Sequence, residues 1–229
     1  MAILSAVDLH KSFGGVKAVD GVTLEVKEGE RLAVVGPNGS GKTTLINLLS
    51  GLYPPDRGRV FLQTLDVTKT PIHVRVKLGI ARSFQLPQLF PELTVYENVA
   101  IAVAALRGFS LKAVPQEEVR SILELFELWD RRSVKASSLS EGEKKILDVA
   151  LAYVSRPKVL LLDEPTSSVA EEDKIPLMER LLERLRGISI VMVEHDLDVV
   201  ERFAERVVAM RAGKVVAVAK PSDVKMLEI

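Results

Sequence analysis

Eight consecutive residues, Gly36-Pro37-Asn38-Gly39-Ser40-Gly41-Lys42-Thr43, fit the spacing G-x-x-x-x-G-K-[ST], and Thr44 follows them. The order has a physical reason. Glycines let the backbone wrap closely around phosphates and turn successive N–H groups inward. The helix that follows the loop adds an N-terminus that attracts anions. Lys42 is placed to reach the β- and γ-phosphates, and the Thr43 hydroxyl to ligate Mg2+. The chemistry is the binding of a nucleoside triphosphate. A second element, Val159-Leu160-Leu161-Leu162-Asp163-Glu164, is an apolar run that ends in two carboxylates. Asp163 suits Mg2+ beside such a loop, and Glu164 can deprotonate a water for in-line attack on the γ-phosphate. Alone, an Asp-Glu pair after a strand reads as a solvated turn. Beside a phosphate loop it reads as the second half of a nucleotide site.

These residues need particular elements to hold them. Leu32 to Val35 is a short continuous apolar run, as expected of a strand buried on both faces, and it leads into the glycine loop and then a helical pattern. Val22, Leu24 and Val26 alternate with Thr23 and Glu25, the period of a half-buried strand. Residues 58–62, 79–84, 159–162 and 188–193 read as further strands, and 207–210 with 214–218 as a hairpin. Residues 87–91 read as a loop. Helices are predicted over 94–106, 117–129, from Ser140 onward, over 172–186 and over 198–206. Ser140 with Glu143 makes a capping box. Pro176 must sit in the first turn of its helix or kink it. The tail 221–229 begins a helix. The order predicts an α/β fold: a P-loop ATPase core with an N-terminal antiparallel β-subdomain and an inserted α-helical subdomain. We read one domain over 1–229, with approximately 1–86 and 158–229 as the core and 87–157 as the helical part.

Composition removes other classes. Lys and Arg number 31 and Asp and Glu 31, so there is no bulk charge for nucleic acid. Cysteine is absent, which excludes disulfides, thiolate metal sites and a cysteine nucleophile, and fits the cytoplasm. The N-terminus turns polar within its first turns, unlike a secretory signal. The longest apolar stretch, Val99 to Leu106, is far short of the ~18 residues of a spanning helix. The run Glu171 to Lys174 reads as a solvated helix start, and His10 and His73 as surface residues.

Taken together, Phe13, the loop at 36–44, Gln85, Leu139-Ser140-Glu141-Gly142-Glu143, Asp163-Glu164 and His195 resemble the ATPase subunits of ATP-binding-cassette (ABC) transporters, over nearly the whole chain. The resemblance implies ATP and Mg2+ as cofactors. It implies that Phe13 stacks on adenine, that Gln85 touches Mg2+ or the attacking water, and that His195 holds the γ-phosphate. Glu164, His195, Gln85 and Lys42 become the catalytic set, and Thr43, Gln85 and Asp163 the metal ligands. Ser140 and Gly142 would touch the γ-phosphate bound to an opposite subunit. The implied assembly is two such subunits, identical or mixed, head to tail around two ATP molecules. They would sit at the inner face of the cell membrane, against integral membrane permease subunits, without touching the transported solute. Phe13-Gly14-Gly15, the run Gly79 to Gln85 and the run Leu93 to Val99 look like the ATPases of branched-chain amino-acid importers. Leu86, Leu89, Phe90 and Leu93 fit the groove for a permease helix.

Two departures stand out. Glu143 replaces the family's usual glutamine, and Ser167-Ser168-Val169-Ala170 lacks an aspartate usual there, which implies altered communication between the two sites. Glu143-Lys144-Lys145 is similar to the soluble ATPase of iron–sulfur cluster assembly, the alternative reading. A P-loop kinase or GTPase would leave Gln85, Ser140 and His195 unexplained.

Overall fold

In the computed structural model, which describes residues 1–108 and 114–226, the strands divide into two sheets. β1 (Ala2–Phe13) and β2 (Val16–Lys27) form an antiparallel hairpin. β4 (Arg57–Leu62) and β5 (Leu65–Asp66) extend it to a four-stranded sheet in the order β2-β1-β4-β5. Val22, Leu24 and Val26 are buried while Thr23 and Glu25 face out, as the alternation requires.

The second sheet has the order β10-β9-β3-β8-β7-β6. It comprises β3 (Arg31–Val35), β6 (Ile80–Arg82), β7 (Val159–Asp163), β8 (Ser189–Val193), β9 (Arg206–Arg211) and β10 (Lys214–Ala219). Neighbours run parallel except β9 and β10, which form the expected hairpin. Its central strands are apolar on both faces because each face meets a different core. Leu32, Val34, Leu161, Val191 and Val193 pack with the antiparallel sheet and α1 (Lys42–Ser50). Ala33, Val35, Leu160, Leu162, Ile190 and Met192 pack under the helices on the other side.

Those helices are α3 (Val95–Leu106), α4 (Gln116–Leu125), α5 (Glu141–Tyr153), α6 (Glu171–Arg184) and α7 (Leu197–Phe203). Several boundaries differ from the sequence reading. The helix expected to reach Trp129 stops at Leu125, and Trp129 begins a separate 3-10 turn. Pro176 is the sixth residue of α6, past its first turn. Its missing N–H frees the carbonyl of Glu172, which is on an exposed residue where water can take its place. A helix that periodicity did not announce, α2 (Ile72–Leu78), precedes β6. The tail forms a 3-10 turn over Pro221–Met226, and the rest of the expected helix lies outside the described residues. His10 is not a free surface group: it is held between Asp8 Oδ1 at 2.9 Å and Asp20 Oδ1 at 3.2 Å. Among the described residues no helix is long and apolar enough to cross a membrane.

Candidate active site

Register brings three strand ends level. Val34 of β3 pairs with Val193 of β8, and Val193 pairs with Asp163 of β7. The glycine loop, the Asp163-Glu164 pair and Glu194-His195 therefore leave one edge of the sheet together, at the carboxyl ends of its strands, where open α/β sheets bind ligands. β6 ends two residues lower, with Arg82 opposite Leu161, and Gln85 follows three residues on.

The loop 36–44 is shaped by packing as well as by phosphate geometry. Gly36 has φ 147°, and a Cβ there would lie 2.1 Å from the Met210 carbonyl oxygen. Gly41 has φ 103°, and a Cβ there would lie 2.1 Å from the Ala18 carbonyl oxygen. Pro37, Asn38 and Gly39 are exposed at the loop tip, Ser40 is buried, and Thr43 is exposed at the start of α1. The first turn of α1 carries no acidic side chain, so its positive end is not neutralised. Lys42 is buried and folds back over the loop: its Nζ donates to the carbonyls of Gly36 (2.7 Å) and Pro37 (3.0 Å). Burial pulls the Lys42 pKa below its ordinary value, against the opposing pull of Glu164 and Asp163.

Three of the expected catalytic side chains meet at one carboxylate. Glu164 Oε2 accepts from Gln85 Nε2 at 2.6 Å, and Glu164 Oε1 lies 2.9 Å from His195 Nε2. Glu164 has φ 48°, a left-handed conformation that strains a residue with a side chain and concentrates at functional sites. Its neighbour Asp163 is buried. Asp163 Oδ2 accepts from Arg82 Nη2 at 2.6 Å, whereas Oδ1 is buried without a hydrogen-bond partner among the described residues. A buried, unsatisfied carboxylate oxygen beside the Thr43 hydroxyl end of a phosphate loop fits a hard cation. Among the described residues no group of three or more His, Cys, Asp or Glu could hold a metal by itself.

Phe13, Ser140 and Gly142 are not part of that hydrogen-bonded cluster. Phe13 ends β1 half-exposed, edge-on to Tyr53 with ring centroids 5.6 Å apart, and Lys11 Nζ lies 5.6 Å from its ring. Ser140 caps α5. Its Oγ accepts from the Glu143 amide at 3.2 Å, and Glu143 Oε2 accepts from the Ser140 amide at 2.9 Å, the capping box expected from sequence. Glu143 Oε1 also binds Arg131 Nε at 3.0 Å, an ion pair that a glutamine could not form. A Cβ on Gly142 would meet no atom of this chain within 4 Å. Beside them lies a cavity of about 360 Å3, lined by Ser140, Gly142, Ser168, Ala170 and Asp173. On another face, Leu86 and Phe90 are exposed. A hollow of about 260 Å3 is lined in part by Phe84, Gln88, Ala105, Asp148 and Leu151.

Sequence reasoning missed the charged residues that hold these side chains in place. Arg82 grips Asp163. Buried Glu194 accepts from the Thr166 hydroxyl (2.8 Å) and amide (3.0 Å) and from the His195 amide (3.2 Å). Lys145 and Asp148, on the buried face of α5, bond the segment around Gln85. The available signal was a charged residue at a position whose periodicity is apolar.

Comparison with known proteins follows the same lines. The sequence family described as "ABC transporter" matches residues 19–167. A probable branched-chain amino acid transport ATP-binding protein of Archaeoglobus fulgidus is 37% identical, with 98% of this chain and 91% of that protein covered. A phosphate import ATP-binding protein of Pyrobaculum aerophilum is also 37% identical, covering 98% of this chain and 93% of its own. Among solved structures, the dimeric post-hydrolysis state of an ATP-binding cassette bound to ADP and Pi matches with a TM-score of 0.81 at 28% identity. That match covers 95% of this chain and 98% of the other.

Proposed function

Because the chain belongs to the ABC transporter family and is one of its ATPases, we propose that it is the ATP-hydrolysing subunit of an importer of branched-chain amino acids. The observation that carries the hydrolytic reading is the convergence of Gln85 and His195 on the Glu164 carboxylate at the lip of the phosphate loop. In this reading the loop 36–44 cradles the phosphates, Lys42 leaves its loop carbonyls for the β- and γ-phosphates, and Phe13 offers its open face to adenine. Thr43, Asp163 Oδ1 and the Gln85 amide oxygen would hold Mg2+, which would supply charge neutralisation on the phosphates. Glu164 orients the attacking water and takes its proton, a contribution of typically 10^2 to 10^4 in rate. Gln85 and His195 fix its two oxygens, so the base is oriented before the water arrives.

The partner is a second cassette, identical or paralogous, facing head to tail. The open space over Gly142 and the exposed Ser140 support that site as the half that receives the opposite subunit's γ-phosphate, with Glu141 and Glu143 in the first turn of α5 offsetting its positive end. The exposed Leu86 and Phe90 support docking of a permease helix, and hence a place at the inner face of the cell membrane. The solute assignment rests on the importer-like runs around Phe13, Gln85 and Leu93 together with the Archaeoglobus relative, since identity alone does not separate it from the phosphate protein.

The test is capture. Tagged Glu164→Gln protein, expressed in its host and held in Mg-ATP, is purified after mild detergent extraction, and its companions are identified by mass spectrometry. Polytopic membrane proteins encoded beside an amino-acid-binding protein are expected. Recovery of soluble scaffold proteins alone overturns the transport reading in favour of the assembly-ATPase alternative.

A further inference from the structure

The pair Lys144-Lys145 follows the motif that begins at Leu139, and nothing in the function above uses it. The two lysines have different surroundings. Lys144 is partly exposed and pairs with Glu141 at 2.7 Å, an ordinary surface contact one helical turn away. Lys145 is 2% exposed, and its three ammonium protons have three acceptors. They are the Gln85 carbonyl, the Glu164 carbonyl at 3.1 Å and the Ser167 hydroxyl at 3.0 Å. None is a carboxylate, so Lys145 is not half of a salt bridge. A lysine placed here forgoes hydration in order to bond three points of backbone and turn. Burial pulls its pKa down, and the surrounding carboxylates of Asp148, Glu194, Glu164 and Asp163 pull the other way.

The three acceptors belong to two segments, the stretch at Gln85 and the turn from Glu164 to Ser167. Gln85 and Glu164 carry the side chains that meet at the site. Ser167 lies in the turn after Glu164 and reinforces the same carbonyl through its own hydroxyl, at 2.9 Å, and its amide, at 3.1 Å. The Glu164 carbonyl thus belongs to a residue in a left-handed conformation, and strain of that kind persists only where surrounding bonds fix it. Lys145 itself stands on α5, five residues from Ser140, or about 7 Å along the helix axis.

We infer that Lys145 is a positioning residue for hydrolysis, which ties the helix beginning at Ser140 to the backbones of Gln85 and Glu164 so that the glutamate is aligned only when that helix is seated. This rests on Glu164 as the base and on Ser140 as the end that meets the opposite subunit's nucleotide. The route runs inside one chain, through a rigid helix and one ammonium. It therefore does not need the aspartate that Ala170 replaces.

Steady-state ATPase assays on Lys145→Met, Lys145→Arg and Glu164→Gln, with nucleotide affinity measured by a fluorescent ATP analogue, test it. The expected result for Lys145→Met is a kcat at least tenfold lower with KM and nucleotide affinity within threefold of wild type. Lys145→Arg, which keeps a cation and several donors, should recover most of that loss. A Lys145→Met kcat within twofold of wild type overturns the inference, as does a parallel fall of kcat and nucleotide affinity. If Lys145→Met does not fold, Ser167→Ala reads the same contact from a half-buried turn. A kcat loss of threefold or more at constant KM supports the inference, and an unchanged kcat overturns it. Glu164→Gln separates the two levels: wild-type turnover there defeats the hydrolytic reading itself, whereas an inactive Glu164→Gln beside an intact Lys145→Met defeats only the role of Lys145.

Discussion

Lys42 bonds two carbonyls of the loop that it would serve, so its ammonium already lies inside the phosphate cradle. Removing it deletes a positive charge aimed at the phosphates and takes a donor from the Gly36 carbonyl, while the Pro37 carbonyl keeps the Ser40 amide at 3.1 Å. Lys42→Ala is expected to weaken ATP binding by 100-fold or more, measured as a dissociation constant by titration calorimetry; an unchanged constant would refute its role. Glu164 was legible from its place after an apolar strand beside a phosphate loop, whereas Gln85 and His195 were legible only through the family resemblance, since neither residue alone carries that message. Their mutual contact was not legible. The resemblance implied that His195 would hold the γ-phosphate; its Nε2 also lies 2.9 Å from Glu164 Oε1, a contact that the resemblance did not announce. Arg82 and Glu194 were not singled out, and Lys145 was read only as part of the run Glu143-Lys144-Lys145. Sequence periodicity registers a charge at a buried position only as an exception, without its partner.

At the level of elements, α5 clasps the Gln85 segment a second time. Asp148 accepts from the Phe84 amide at 2.8 Å and from the Gln88 amide at 3.1 Å, one on either side of Gln85. Burial pushes the Asp148 carboxyl up to about 6, against the pull of those two amides and of Lys145 and Arg82. The folded protein therefore keeps this proton to a higher pH than the unfolded chain, whose aspartates titrate near ~4. Between those values the unfolded state holds fewer protons at this group, so the contribution of Asp148 to stability falls as pH rises, by about 3 kcal/mol, alongside the opposite contributions of carboxyls held below their ordinary range such as Glu30 and Asp196. In a pH series of urea unfolding, Asp148→Asn is expected to remove this contribution and so shift the slope of stability against pH between ~4 and ~6 in the positive direction; a slope identical to wild type would remove Asp148 as a source. Elements were read well where one period ran long, as in β2 and α5, or where a short apolar run was bounded by a motif, as in β3 and β7. α2 was missed because Ile72, Val74 and Val76 alternate with His73, Arg75 and Lys77, the period of a strand, over only seven residues. What makes it a helix is tertiary. Arg75 is fully buried and donates to the Leu48 and Leu49 carbonyls, both at 2.8 Å, which satisfies acceptors at the C-terminus of α1.

For the whole molecule, the proposed assembly makes the isolated chain half of a site. Glu164→Gln, which binds ATP without turnover, is expected to elute at twice the monomer mass in gel filtration with Mg-ATP and as a monomer without it. Monomer in both conditions would count against a sandwich of two identical chains. The α/β class, the antiparallel N-terminal sheet and the helical part were legible because strand and helix periods alternate in blocks. The pairing order of the two sheets was not, since it depends on contacts between strands far apart in the chain. The two sheets meet at the phosphate loop, where the Met210 carbonyl from β9 presses on Gly36 and the Ala18 carbonyl from β2 presses on Gly41. A nucleotide seated there would act as a rivet through both sheets. It would slow the opening of strands that never touch it, and the fold would be most durable in a cell rich in ATP.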